Sequence, residues 1–153
     1  MADLSHILNW RRRDATTTLS GQPSEAELAE LAASGVTRII NLGPHSNKGA
    51  LPDEPGTVAA LGMTYTYIPV DFDAPTEADF AAFQQALADT AGDQRHVHCI
   101  YNARVSAFFY RHDPTPDAFA LMDGIWRPGG VWARFIGKPQ DADKPNRYKG
   151  DDY

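Results

Sequence analysis

The sequence predicts an α/β fold: a central, mostly parallel sheet of four to five strands, flanked by helices on both faces. Three observations predict it. Short runs rich in β-branched and aromatic residues alternate with segments of helical spacing along most of the chain. Two of the helical segments open on capping-box pairs, Ser24 with Glu27 and Thr76 with Asp79. Gly35 and Gly62 stand where the first two helices must stop.

Residues 14–19 read as a first strand, and Ser20-Gly21-Gln22-Pro23 as a turn. A helix runs from the Ser24 cap to about Ala33. Residues 37–42 form a second strand, 43–52 a polar loop, and 53–61 a short helix. The aromatic and branched run over 63–70 is a third strand, closed by the loop Asp71-Phe72-Asp73-Ala74-Pro75, which is expected to swing freely. The clearest helix follows Thr76, with Phe80, Phe83 and Leu87 on one face. A fourth strand, Arg95-His96-Val97-His98, leads into Cys99. A helix is predicted from Ala103 to about Arg111, and two short ones over 116–126 and 130–136. The pattern gives one folded domain over 1–137 and a polar tail over 138–153, either mobile or docked as an arm. Arg11-Arg12-Arg13 reads as a solvated run, and the three tryptophans as packing residues.

Composition narrows the function classes. The formal net charge of −6 disfavours a nucleic-acid binder or a binder of anionic membranes, yet permits one small anion pocket. No stretch reaches the roughly 18 apolar residues of a membrane span. Residues 1–14 lack the apolar core of a signal peptide, and the one cysteine allows no internal disulfide; both fit a cytoplasmic protein. No Gly-x-Gly-x-x-Gly or phosphate-loop lysine motif is present, and His96, His98 and Cys99 find no further metal ligand at sensible spacing. No cofactor is expected.

Chemistry concentrates at the end of the fourth strand. A thiol of pKa about 8.5 becomes a nucleophile only in positive surroundings. Three sources are at hand: the N-terminus of the next helix, Arg104 in its first turn, and the amides of Ile100, Tyr101, Asn102 and Ala103 as an anion nest. The same groups suit a phosphate, which the planar Arg fork contacts through two oxygens. In an α/β sheet, loops after strands converge at one edge, so the 71–73 loop should meet Cys99. Asp73, and after it Asp71, is the candidate general acid; Ser106 is a candidate hydroxyl for the departing thiolate.

The pattern strand-His98-Cys99-loop-Arg104-helix, with Asp73 upstream, resembles the cysteine-based protein tyrosine and dual-specificity phosphatase superfamily. More closely it resembles small bacterial phosphatase-like proteins related to the phosphatase-like domain of β-lactamase-hydrolase-like proteins. The stretches that carry the likeness include Ser20-Gly21-Gln22-Pro23, Ile40-Asn41-Leu42, Leu51-Pro52-Asp53-Glu54, the segment from Ile68 to Pro75, Val97-His98-Cys99, and Arg104-Val105-Ser106-Ala107-Phe108. The resemblance implies a phosphatase-like domain over 1–137, Cys99 as nucleophile, Arg104 as phosphate clamp, Asp73 or Asp71 as acid, and His98 as support behind the sulfur. It implies a phosphomonoester, on protein or small molecule, as substrate, and phosphate as product and ligand.

The chain departs from the superfamily pattern. Four residues separate Cys99 from Arg104 where five are usual, no glycine lies between them, and Val105 takes the place of a hydroxyl residue. Two other functions therefore stay open: a rhodanese-like sulfurtransferase with a persulfide on Cys99, and a phosphate- or phosphoprotein-binding module of weak activity.

Overall fold

A computed structural model of the chain describes residues 3–151; Met1, Ala2, Asp152 and Tyr153 lie outside the described residues. The strands are β1 (Arg11–Arg12), β2 (Thr17–Ser20), β3 (Arg38–Asn41), β4 (Thr64–Tyr67), β5 (Arg95–His98), β6 (Trp126–Arg127) and β7 (Arg147–Tyr148). The helices are α1 (Glu25–Ala33), α2 (Glu54–Ala60), α3 (Glu77–Asp89), α4 (Ala103–His112), α5 (Pro116–Ala120) and α6 (Gly130–Phe135). A 3-10 turn spans Pro139–Asp141.

The main sheet has five strands in the order β1-β2-β5-β3-β4, parallel except for the antiparallel edge pair β1–β2. The predicted mostly parallel sheet is thus present, and β5 is its central strand. Both predicted capping boxes form: Ser24 accepts from the Glu27 amide while Glu27 accepts from the Ser24 amide, and Thr76 and Asp79 do the same. Gly35 and Gly62 take positive φ, 105° and 79°, just beyond α1 and α2.

Strand periodicity divides the core in two. Ile39 packs on one face with Leu28, Leu31, Val58 and Met63. Its neighbour Ile40 packs on the other with Leu19, Val97, Phe83, Phe108 and Trp132. The same alternation places Val97 and Cys99 in the second cluster. His96 and His98, one position out of phase with them, are buried with their rings stacked 6.4 Å apart.

Two predictions need correction, and one left open is decided. Arg11 and Arg12 do not form a solvated run. They make β1, pairing with Leu19 and Thr18, and charged residues are what an edge strand tolerates. Trp126 does not belong to a helix; α5 ends at Ala120, and Trp126 opens β6. Of the two readings of the tail over 138–153, the docked arm is the one present: β7 pairs antiparallel with β6, joining Tyr148 to Trp126 and Arg147 to Arg127.

Candidate active site

The β5–α4 connection lies at the C-terminal end of the central strand, where open parallel sheets place their ligand sites. Each carbonyl of the loop is engaged by a neighbouring group. The Cys99 oxygen lies 2.9 Å from His98 Nδ1. The Ile100 oxygen accepts from the Gln22 amide at 3.0 Å. The Tyr101 oxygen accepts from Asn9 Nδ2 at 2.8 Å. The Asn102 and Ala103 oxygens accept from Ser106 Oγ at 2.7 and 3.2 Å. No peptide bond among the described residues is cis. In a trans peptide, the next residue's N–H points opposite to the carbonyl. The N–H groups of Ile100, Tyr101, Asn102, Ala103 and Arg104 therefore point away from these partners. None of the first four donates to another group among the described residues. Amides without an acceptor are what an anion nest requires.

Close backbone packing holds the ring of amides in place. A Cβ at Gly21 would sit 2.7 Å from the Ile100 carbonyl oxygen, so the 20–23 turn can support the loop only with glycine there. Asn102 sits in the left-handed region at φ 72°, and its Nδ2 donates to the Asn9 carbonyl at 2.8 Å. Asn tolerates this conformation where most side chains do not. The loop thus makes its left-handed turn without a glycine.

Arg104 lies in the first turn of α4 and is 5% exposed. Its Nε is buried without a partner, and its NH2 reaches only Asn47 Oδ1, at 3.4 Å. The guanidinium lies 5.2 Å from the Phe72 ring centroid. No carboxylate pairs with it among the described residues. A cation so far removed from water calls for an anion. Arg104 lines a cleft of about 550 Å³ together with Cys99, Asp73, Tyr101 and Tyr148, within the size range of small-molecule sites.

The cleft thus brings together Cys99, Ile100, Tyr101, Ala103, Arg104 and Asp73. Cys99 lies at its floor with no exposed surface of its own. Asn102 is not among the lining residues; its side chain is turned to Asn9. Asp71 stays outside: its Oδ1 accepts from the Asp73 amide at 2.9 Å, which shapes the loop that presents Asp73. That loop is not free to swing, because Trp132 Nε1 donates to the Phe72 carbonyl at 2.7 Å. Ser106 also differs from expectation. Lying one turn beyond Asn102, its hydroxyl bonds back to the Asn102 and Ala103 carbonyls and accepts from Trp126 Nε1 at 3.2 Å, so it supports the loop from behind.

Behind the loop lies a group the sequence did not single out. Glu54 at the start of α2 is 1% exposed, and its Oε2 is 2.6 Å from His98 Nε2. Both His98 nitrogens face oxygens, Nδ1 the Cys99 carbonyl and Nε2 the Glu54 carboxyl group. Burial pushes the Glu54 carboxyl upward, but the hydrogen bond and charge of His98, with help from Gln22 and Tyr65, outweigh it and hold the group below the ordinary range. Gln22, which supports Ile100 through its amide, also donates to Glu54 Oε1 at 2.6 Å. The neighbouring His96 is neutral. Burial, and then the charge of His98, push it well below its ordinary value. Ser20 Oγ donates to the Gly21 carbonyl and lies 2.7 Å from His96 Nε2, so Nε2 is the protonated nitrogen. Glu54 sits in the stretch Leu51-Pro52-Asp53-Glu54, but no local pattern announces a partner 44 residues away.

Comparisons with known proteins now bear on this site. No family model matches the chain. A crystal structure from Shewanella putrefaciens CN-32, described as "Putative phosphatase (DUF442)", superposes with a TM-score of 0.73 at 30% identity, covering 92% of this chain and 91% of that one. The chain belongs to the DUF442 family. The chain also shares the fold of tyrosine-phosphatase-like proteins. The Pseudomonas aeruginosa protein TpbA, in complex with pTyr, superposes on this DUF442 chain with a TM-score of 0.61 over 80% of it, at 17% identity. The "Beta-lactamase hydrolase-like protein" of Agrobacterium fabrum is 39% identical over 85 residues, 54% of this chain. The DUF442 chain covers only 20% of that relative's length.

Proposed function

We propose that the protein is a cysteine-dependent phosphatase that hydrolyses a phosphomonoester through a phosphocysteine. The observation that carries this reading is the buried guanidinium of Arg104, with no carboxylate partner, in one cleft with Cys99 and beside loop amides that donate to no other group among the described residues. The phosphate dianion supplies the missing counter-charge. The Cys99 thiolate attacks phosphorus; a P–S bond forms as the P–O bond to the organic group breaks. The leaving oxygen takes a proton from Asp73. Asp73, now a carboxylate, takes a proton from water, whose oxygen attacks phosphorus; the P–S bond breaks, releasing phosphate and the thiolate. A positioned acid of this kind contributes roughly 10²–10⁴-fold in rate. The His98–Glu54 contact fixes the imidazole behind the Cys99 carbonyl and so holds the peptide that carries the sulfur.

One pair of observations favours a second reading, a phosphate-binding module of weak activity. Cys99 has no exposed surface, and the Ser106 hydroxyl is committed to backbone carbonyls rather than to the sulfur. Hydrolysis of p-nitrophenyl phosphate in the presence of a chelator separates the two. The phosphatase reading requires metal-independent turnover that Cys99→Ser abolishes and Asp73→Asn slows. Turnover that survives Cys99→Ser rules the mechanism out. Phosphate binding without turnover establishes the binding module, and transfer of sulfur from thiosulfate to cyanide establishes a sulfurtransferase.

A further inference from the structure

The anion ring accounts for the floor of the cleft but not for its walls. Three aromatic side chains line it, each from a distant part of the chain: Phe72, Tyr101 and Tyr148. Tyr148 belongs to the C-terminal arm, and the arm is fixed there by specific contacts. The Gly129 amide donates to Asn146 Oδ1 at 2.8 Å, the Gly130 amide to the Lys144 carbonyl at 2.9 Å, and the Lys149 amide to the Ile125 carbonyl at 3.1 Å. At Gly129 the two backbones approach so closely that a Cβ would lie 2.1 Å from the Lys144 oxygen. The Tyr148 ring stacks on Trp126 at 6.1 Å and 19°, and meets Tyr101 edge-on at 6.0 Å and 75°. Two rings standing edge to face beside a cationic floor form a corner that fits a flat group carried on the phosphate.

We infer that Tyr148 is a specificity-determining residue, and that the C-terminal arm is the wall by which this site selects aryl over small alkyl phosphomonoesters. The inference rests on the phosphate-site reading above, but it concerns the organic group, which the ring of amides does not touch. Tyr148 takes no part in bond making.

Calorimetry on the full chain in a Cys99→Ser background tests it without relying on turnover. The probes are phenyl phosphate, ethyl phosphate and inorganic phosphate. The parent should bind phenyl phosphate more tightly than ethyl phosphate. Tyr148→Val keeps a β-branched residue in β7 but removes the ring. It should weaken phenyl phosphate about 10-fold, the scale of one aromatic contact with its buried area, and leave inorganic phosphate unchanged. Tyr148→Phe should bind all three as the parent does. Equal weakening of phenyl and inorganic phosphate in Tyr148→Val, weakening by Tyr148→Phe, or no preference for phenyl phosphate in the parent overturns the inference and leaves the phosphate site standing. Failure of the parent to bind any of the three probes overturns both.

Discussion

Replacing Glu54 with glutamine removes the carboxylate that faces His98 in the core. The two side chains are 1% and 0% exposed and 2.6 Å apart, so solvent screens neither. Removing one member of such a pair leaves the other charge uncompensated, at a cost of about 3–5 kcal/mol. For a chain of this size that lowers Tm by about 6–20 °C at neutral pH. The effect has a pH signature. The folded-state pKa of Glu54 lies below the ordinary 4.5, so its contribution is complete above about that pH. It is lost as pH falls through the folded value, where the unfolded chain already holds the proton. The difference between parent and Glu54→Gln should therefore shrink as pH falls below 4.5. Urea unfolding across a pH series measures this. A variant within 1 kcal/mol of the parent at pH 7, or a gap that does not close in acid, refutes the assignment of a charged pair.

Three further outcomes are expected. Arg104→Lys loses the fork that fits two phosphate oxygens, so phosphate affinity should fall by one or two hydrogen bonds to a charged group, about 1.5–3 kcal/mol each; calorimetry measures it. Gly21→Ala drives a methyl group into the Ile100 carbonyl oxygen, 2.7 Å from the new Cβ. It should cost about 1–3 kcal/mol in urea unfolding and weaken phosphate binding together, because the same peptide shapes the ring. Trp132→Phe frees the Phe72 carbonyl and loosens the loop that carries Asp73; kcat should fall while phosphate affinity holds.

The sheet and its main helices were legible because their signals are local. Ser24 with Glu27 and Thr76 with Asp79 satisfy backbone groups within one turn, and Ile39 and Ile40 alternate between two cores as strand periodicity requires. Cys99 and Arg104 were legible because a strand end, a loop and a helix start place them together. The parts that were missed depend on long-range contacts. β1, β6 and β7 are two residues each, too short to carry a period. Glu54 gains its meaning only from His98, and Tyr148 only from the pairing of β7 with β6. Ser106 shows a different limit. Its spacing from Cys99 suits a hydroxyl near the sulfur, but helix phase and back-bonding to Asn102 turn it away.

Rapidly quenched turnover of an aryl phosphate, read by phosphorus NMR and by mass spectrometry of the Cys99 peptide, tests the central claim most directly. The account predicts one phosphoryl group on the Cys99 sulfur, which accumulates further in Asp73→Asn as its hydrolysis slows. Turnover with no adduct, or with the phosphoryl group on any other residue, contradicts it.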